Sequence, residues 1–206
     1  MVGENSSGDG GTRSGSVDLE SGRERVMRAA YGLFSRDGIR SVGVDTVIAE
    51  AGVAKMTLYR NFPSKEDLAL AFLRRREEVW THGWVVREIT GRADTPAGQL
   101  LACFDLFDEW FRRDDFEGCA FVTILLEMHD RESPIRQACV KHLANIRTIL
   151  AGVAADAGIE DPERFAAQWQ ILLKGAIVTA QEGNEDAALL GREMGELLLR
   201  RHGLLE

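Results

Sequence analysis

Seven consecutive residues, Lys55-Met56-Thr57-Leu58-Tyr59-Arg60-Asn61, carry an ammonium, a hydroxyl, a phenol, a guanidinium and an amide. Those groups suit phosphate oxygens and the base edges of a DNA major groove. Leu58 and Phe62 lie at i and i+4 and read as the inward face of a short helix, which leaves Lys55, Met56, Thr57, Tyr59 and Arg60 facing outward. Thr57, Tyr59 and Lys65 are expected to anchor a phosphate backbone. Lys55, Met56, Arg60 and Asn61 are expected at or near bases, and Thr46, just upstream, is counted with the same surface. A solvated helical hairpin with no ligand is the competing reading of this stretch.

The surface needs a scaffold, and the flanking residues describe one. Val44, Val47, Ile48 and Ala51 follow helical spacing, and Gly52 can take positive φ and turn the chain, so residues 43–62 read as two helices hinged at Ala51-Gly52-Val53. Pro63 ends the second helix. Ser64 can cap the next, with Glu66 and Asp67 at its positive end. Upstream, Ser21-Gly22-Arg23-Glu24 fits a capping box that opens a helix to about Asp37, with Val26, Ala29, Ala30, Leu33 and Phe34 as its buried stripe. Arg23, Arg25 and Arg28 fall on its other side, where a phosphate contact and plain solvation are both open.

The run GVAKMTLYRNFPSKEDL resembles the signature of the TetR family of bacterial transcriptional regulators. Gly52, Val53, Thr57, Leu58, Tyr59, Phe62, Ser64, Lys65, Glu66 and Leu68 stand in register with it. The resemblance is strong over residues 20–80 and follows only the general plan beyond. It implies an all-α fold: an N-terminal three-helix helix-turn-helix DNA-binding domain plus a C-terminal helical ligand-binding and dimerisation domain. Three positions depart from the family pattern. Gly43 stands where Ser or Thr is common, Ala54 where Ser is common and Met56 where Gly is common. Ala54 has no side-chain oxygen for capping, a loss on the order of 1 kcal/mol, and Met56 points to an unusual operator.

Net charge is −8 over 206 residues, yet it is unevenly placed. Residues 20–76 hold eleven Lys or Arg against seven Asp or Glu, a balance of +4. Residues 77–206 hold thirteen against twenty-three, or −10, and residues 1–19 hold one against three. A basic head on an acidic body presents DNA with one attractive face. Residues 1–19, rich in Gly and Ser, are expected to be a disordered tail. Neither a secretory signal nor a membrane-length apolar run is legible, so the expected location is the cytoplasm, away from membranes. Cys103, Cys119 and Cys139 have no metal-type spacing and read as small buried thiols, a redox switch being the minor alternative.

The chain divides on this reading into residues 1–19, 20–80 and 81–206. A long helix from Ser64, with Leu68, Ala71, Phe72 and Val79 as its stripe, joins head to body, and Trp80 and Trp84 lie one turn apart where it enters. Residues 90–97 read as a loop. Residues 119–128 are apolar nearly all round and are expected at the centre of a bundle. The last two helices carry surplus apolar surface, which predicts a homodimer through a four-helix bundle, with Gly175, Ala176 and Gly191 easing close approach between copies. Proteins resembling this family use the body to enclose a small-molecule effector. Trp84, Phe104, Phe107, Phe121, Leu125, Met128 and Trp169, with Glu127, His129 or Thr123 as orienting polar groups, are the candidates to line an apolar pocket for it.

Two other classes compete. His82, His129, His142 and His202 are scattered, with no metal-protease pattern, nucleophile elbow or phosphate-cradling loop, so neither catalysis, a metal nor a cofactor is expected. A module that uses the helical head against another protein is the remaining alternative. The reading that combines these observations is a homodimeric repressor that binds a palindromic duplex operator and is released by a small hydrophobic or aromatic effector.

Overall fold

The computed structural model describes residues 20–206; the tail expected over 1–19 lies outside the described residues. Helix α1 (Gly22–Asp37) starts at Ser21, whose hydroxyl accepts the Glu24 amide at 3.2 Å. That bond satisfies one of the amides a helix start leaves open. Glu24 does not reach back to complete a capping box; its carboxylate pairs with Arg75 at 2.7 Å. The stripe from Val26 to Phe34 is buried against α2 (Val44–Ala51), α3 (Lys55–Asn61) and α4 (Lys65–Arg76). Ser64 caps α4 by accepting the Asp67 amide at 3.0 Å.

Beyond α4 the rod continues without a break as a π-helical segment, Glu77–Val86, and then α5 (Arg87–Arg92). In a π-helix each bond closes on a residue five away, so the turn widens and the register of an α-helical stripe is lost. Val79, expected inside, is 54% exposed for that reason. Gly83 suits the wide turn, since a β-carbon there would stand 3.1 Å from the Glu78 carbonyl oxygen. The loop expected from residue 90 begins later, at Ala93. Arg92 holds α5 in place with a two-pronged bond to Glu109, at 2.6 and 2.8 Å.

The body consists of α6 (Pro96–Phe111), α7 (Ala120–Glu127), α8 (Pro134–Asp156), α9 (Pro162–Gln181) and α10 (Ala187–Arg201). Proline opens α6, α8 and α9, where its missing N–H costs nothing. Helices α6, α8, α9 and α10 pack around Phe104, Leu106, Phe165, Trp169 and Leu199. A second core joins α1 to α4 with α7 and the first turns of α8.

Two expectations are corrected here. Helix α7 is not central to a bundle: Leu126 is 69% exposed, and its Ala120, Phe121 and Ile124 join the core of the head. It is eight residues long, too short to be wrapped, and it wedges between head and α8. Gly191 faces its own protomer, where a β-carbon would stand 2.7 Å from Phe104 Cε1, and Gly195 likewise makes room for Trp169. Both let α10 close on α6 and α9. Among the described residues no helix is long and apolar enough to cross a membrane.

Candidate nucleic-acid interface

The hinge between α2 and α3 is a Schellman turn. Gly52 sits at φ 59°, ψ 41°, its N–H donates to the Ala49 carbonyl at 3.2 Å, and the Val53 N–H donates to Ile48 at 3.4 Å. Arg25 of α1 donates through Nη1 to the Gly52 carbonyl at 3.3 Å, so α1 grips the turn and fixes the angle of α3. That bond commits Arg25. Arg28 pairs with Glu20 at 2.8 Å, and the Arg23 guanidinium lies 5.1 Å from the centre of the Phe62 ring.

Leu58 and Phe62 are buried, and they seat α3 with its other face to solvent. Met56 is 78% exposed; Thr46 on α2 and Lys55, Tyr59 and Arg60 on α3 are exposed with it. Lys55 reaches Asp45 at 3.5 Å, an exposed pair weak enough to exchange for a phosphate. The remaining three residues are half-buried and have local partners. Thr57 turns its methyl toward α1, where a β-carbon on Gly22 would stand 2.6 Å from Cγ2. Asn61 donates Nδ2 to the Thr57 carbonyl at 2.7 Å. Lys65 donates to the Arg40 carbonyl at 3.4 Å, and burial lowers its pKa. Neither Gly43 nor Ala54 supplies a side-chain cap.

Eight of the residues expected around an effector fall in four places. Trp84 is half-buried on a cleft beside α1, while Phe107 borders a small apolar pocket of about 60 Å³. Phe104 and Trp169 pack together in the body core, ring centres 5.4 Å apart and planes tilted by 55°. Phe121, Leu125, Glu127 and Met128 gather where α7 meets the head. Phe121 lies flat on the buried His142, centres 3.4 Å apart. Burial pushes the Cys103 and Cys139 thiols up to about 12 and raises Cys119 as well. A redox switch works through the thiolate, and these environments disfavour it. Among the described residues no group of acidic, His and Cys side chains could hold a metal ion.

Two family models match the chain. Residues 26–72 match bacterial regulatory proteins of the tetR family, and residues 96–192 match the C-terminal domain of LmrA/YxaF-like transcriptional regulators. The chain belongs to the TetR family. As a TetR-family protein it is a helix-turn-helix DNA-binding transcriptional regulator, and its curated relatives are transcriptional regulators too. YjdC of Escherichia coli is 23% identical over 75% of this chain and 81% of its own length. YxaF of Bacillus subtilis is 22% identical over 88% and 96%. The crystal structure of SCO4454, a TetR-family regulator from Streptomyces coelicolor, superposes with a TM-score of 0.79 at 27% identity, covering 88% of this chain and 95% of that one.

In a helix-turn-helix the second helix enters the major groove, and in this TetR-family chain that helix is α3. Sequence reasoning missed the clamp of Arg25 on Gly52. The charge of an arginine on a helix face carries no sign that it will bond a carbonyl 27 residues away. It also missed Trp110, which packs against Trp80 with ring centres 4.6 Å apart.

Proposed function

We propose that this TetR-family protein is a cytoplasmic repressor that binds a palindromic operator as a homodimer and leaves it when a small hydrophobic or aromatic effector binds. Residues 20–80 are the DNA-binding part and residues 81–206 the effector-binding and dimerisation part. The observation that carries the reading is the outward face of α3, where Met56, Tyr59 and Arg60 stand exposed while Leu58 and Phe62 anchor the helix from below. Lys55, Met56 and Arg60 approach base edges. Tyr59 and Lys65 hold phosphates, with Thr46 and Thr57 close beside them, and Asn61 steadies the end of the helix.

One such face reads too few bases for useful selectivity, so a second copy is required. Helices α9 and α10 supply the surface for it: Ile171 is 68% exposed, and Val178, Leu190, Met194 and Leu197 are exposed with it. Uncovered apolar surface of this kind favours a partner, and two antiparallel helices meeting their copies form a four-helix bundle. Effector binding that alters the separation of the two heads then alters repression.

Selection of bound sequences from a random duplex pool tests this. Enrichment of an inverted repeat with half-sites about one DNA turn apart is expected. Absence of any enriched duplex contradicts it.

A further inference from the structure

A cleft of about 520 Å³ opens between α1, the π-helical segment and the end of α6. Pockets that take small ligands span about 300–1,000 Å³. Trp80 and Trp84 form one wall with ring centres 5.2 Å apart, and Trp110 closes the back against Trp80. Trp80 also borders the small apolar pocket, so it is the wall shared by the two spaces.

Three guanidiniums and two carboxylates line the cleft. Two of the guanidiniums are already taken: Arg36 by Asp37 and Arg113 by Asp115, each through two nitrogens. Arg76 is different. It is half-buried, lies 5.4 and 5.8 Å from the ring centres of Tyr31 and Trp80, and donates only Nη1, to the Tyr31 hydroxyl at 3.0 Å and Ser35 Oγ at 3.4 Å. Among the described residues Arg76 has no carboxylate partner, and Nε and Nη2 remain as the fork that binds a carboxylate in two places. Glu117 stands exposed at the rim, where it repels an anion and attracts a cation. With Arg36 and Arg113 paired, Arg76 and Glu117 balance in charge, and the open fork of Arg76 against the ring of Trp80 is what favours a carboxylate.

We propose that this cleft is the effector site and that it takes a planar aromatic carboxylate, its acid on Arg76 and its rings among Trp80, Trp84 and Trp110. The placement rests on the effector-responsive reading above and deepens it. A molecule held here touches α1 of the head, the shaft and the end of α6 together, so occupancy changes the angle between head and body. An apolar part of the ligand that displaces Trp80 enters the small apolar pocket behind it.

Calorimetric titration with 2-naphthoate, 2-naphthamide and 2-naphthylmethylammonium tests the chemistry, with affinity for the selected duplex measured in parallel. The naphthoate should bind at least tenfold more tightly than either analogue and lower DNA affinity. Arg76→Gln should lose about tenfold of that binding, the size of one charge-assisted contact. Gly32→Leu supplies an independent check. Gly32 lines the cleft on α1, nothing lies within 4 Å of where its β-carbon would be, and leucine favours the helix. It should abolish naphthoate binding while thermal unfolding shows a folded chain. The proposal is overturned if naphthoate gives no heat at millimolar concentration, binds both variants as it binds the wild type, binds no better than the ammonium analogue, or binds without weakening DNA affinity. If the unliganded protein retains no duplex, the repressor reading fails instead, and the calorimetry still decides the cleft.

Discussion

Glu127 at the end of α7 lays its carboxylate on the backbone of Gly38, so that Oε1 would stand 2.6 Å from a β-carbon placed on that glycine. Two residues on, Arg40 donates Nη1 to the Glu127 carbonyl at 3.1 Å. The loop that leads into the helix-turn-helix is therefore held by the body through both side chain and backbone.

Gly38 combines that contact with φ 77° and ψ 158°, a region open in practice only to glycine. Gly38→Ala should lower stability by about 1–3 kcal/mol. Gly52→Ala meets backbone strain alone, since nothing lies within 4 Å, and should cost about 1 kcal/mol. Thermal unfolding of the two variants checks the order. Equal losses would show that the Glu127 contact contributes nothing.

The helix-turn-helix was legible because its signals are local. Gly52 needs positive φ, Leu58 and Phe62 repeat at helical spacing, and Ser21 and Ser64 cap the residues that follow them. The body was less legible where packing decides. The apolar residues 119–128 looked like a bundle centre, but only three-dimensional neighbours set which of their faces is covered, and Leu126 is left outside. The π-helical turns from Glu77 have no sequence period of their own, so Val79 was misplaced and the cleft beside Trp80 went unseen. The expected effector set failed to form one site for the same reason: helical spacing puts Phe104 and Phe107 on one face, and both enter the body core, but only Phe107 also borders the apolar pocket.

Asn61 and Arg60 should behave differently although they are adjacent. The Asn61 amide already serves the Thr57 carbonyl, so Asn61→Ala should cost about 0.5–1.5 kcal/mol of stability and leave sequence preference unchanged. Arg60→Ala should leave stability nearly untouched and relax preference at one base pair, a cost of about 1–3 kcal/mol on the preferred duplex. Binding to a panel of single-base variants of the selected duplex separates the two. Uniform loss across the panel for Arg60→Ala would move it to a backbone contact.

Acid should destabilise the junction of shaft and body. His142 is 2% exposed and lies between Phe121, Thr81 and Glu77; burial lowers its pKa below the ordinary 6.5, against the opposing pull of Glu77. Its Nδ1 is 3.2 Å from Glu77 Oε1 without the alignment of a hydrogen bond. The folded chain thus holds this proton less tightly than the unfolded chain, and stability falls as pH drops below 6.5 toward the folded value. Glu77 extends the loss. Its own burial raises it, but the hydrogen bond from Asn145 at 2.8 Å and the nearby His142 together hold it below 4.5, so its contribution goes as pH falls under that value. Tm measured from pH 8 to pH 5 should fall, and His142→Gln should flatten the upper part of the curve. An unchanged slope in that variant would assign the loss elsewhere.

The apolar face of α9 and α10 predicts that a single charge will separate the copies. Ile171→Glu and Leu197→Glu each replace an exposed apolar side chain, so the folded protomer should tolerate them. Sedimentation should show a shift from dimer to monomer at micromolar protein. Dimers that persist in both variants would place the interface on another surface.

Two copies are expected to hold one duplex through their basic heads. The mass of the complex formed on the selected duplex, followed by light scattering as salt is raised, decides this. Two protomers per duplex are expected, with a log–log loss of affinity with salt whose slope grows by about 0.9 for each phosphate neutralised. A complex of one protomer per duplex, or an affinity indifferent to salt, would contradict it.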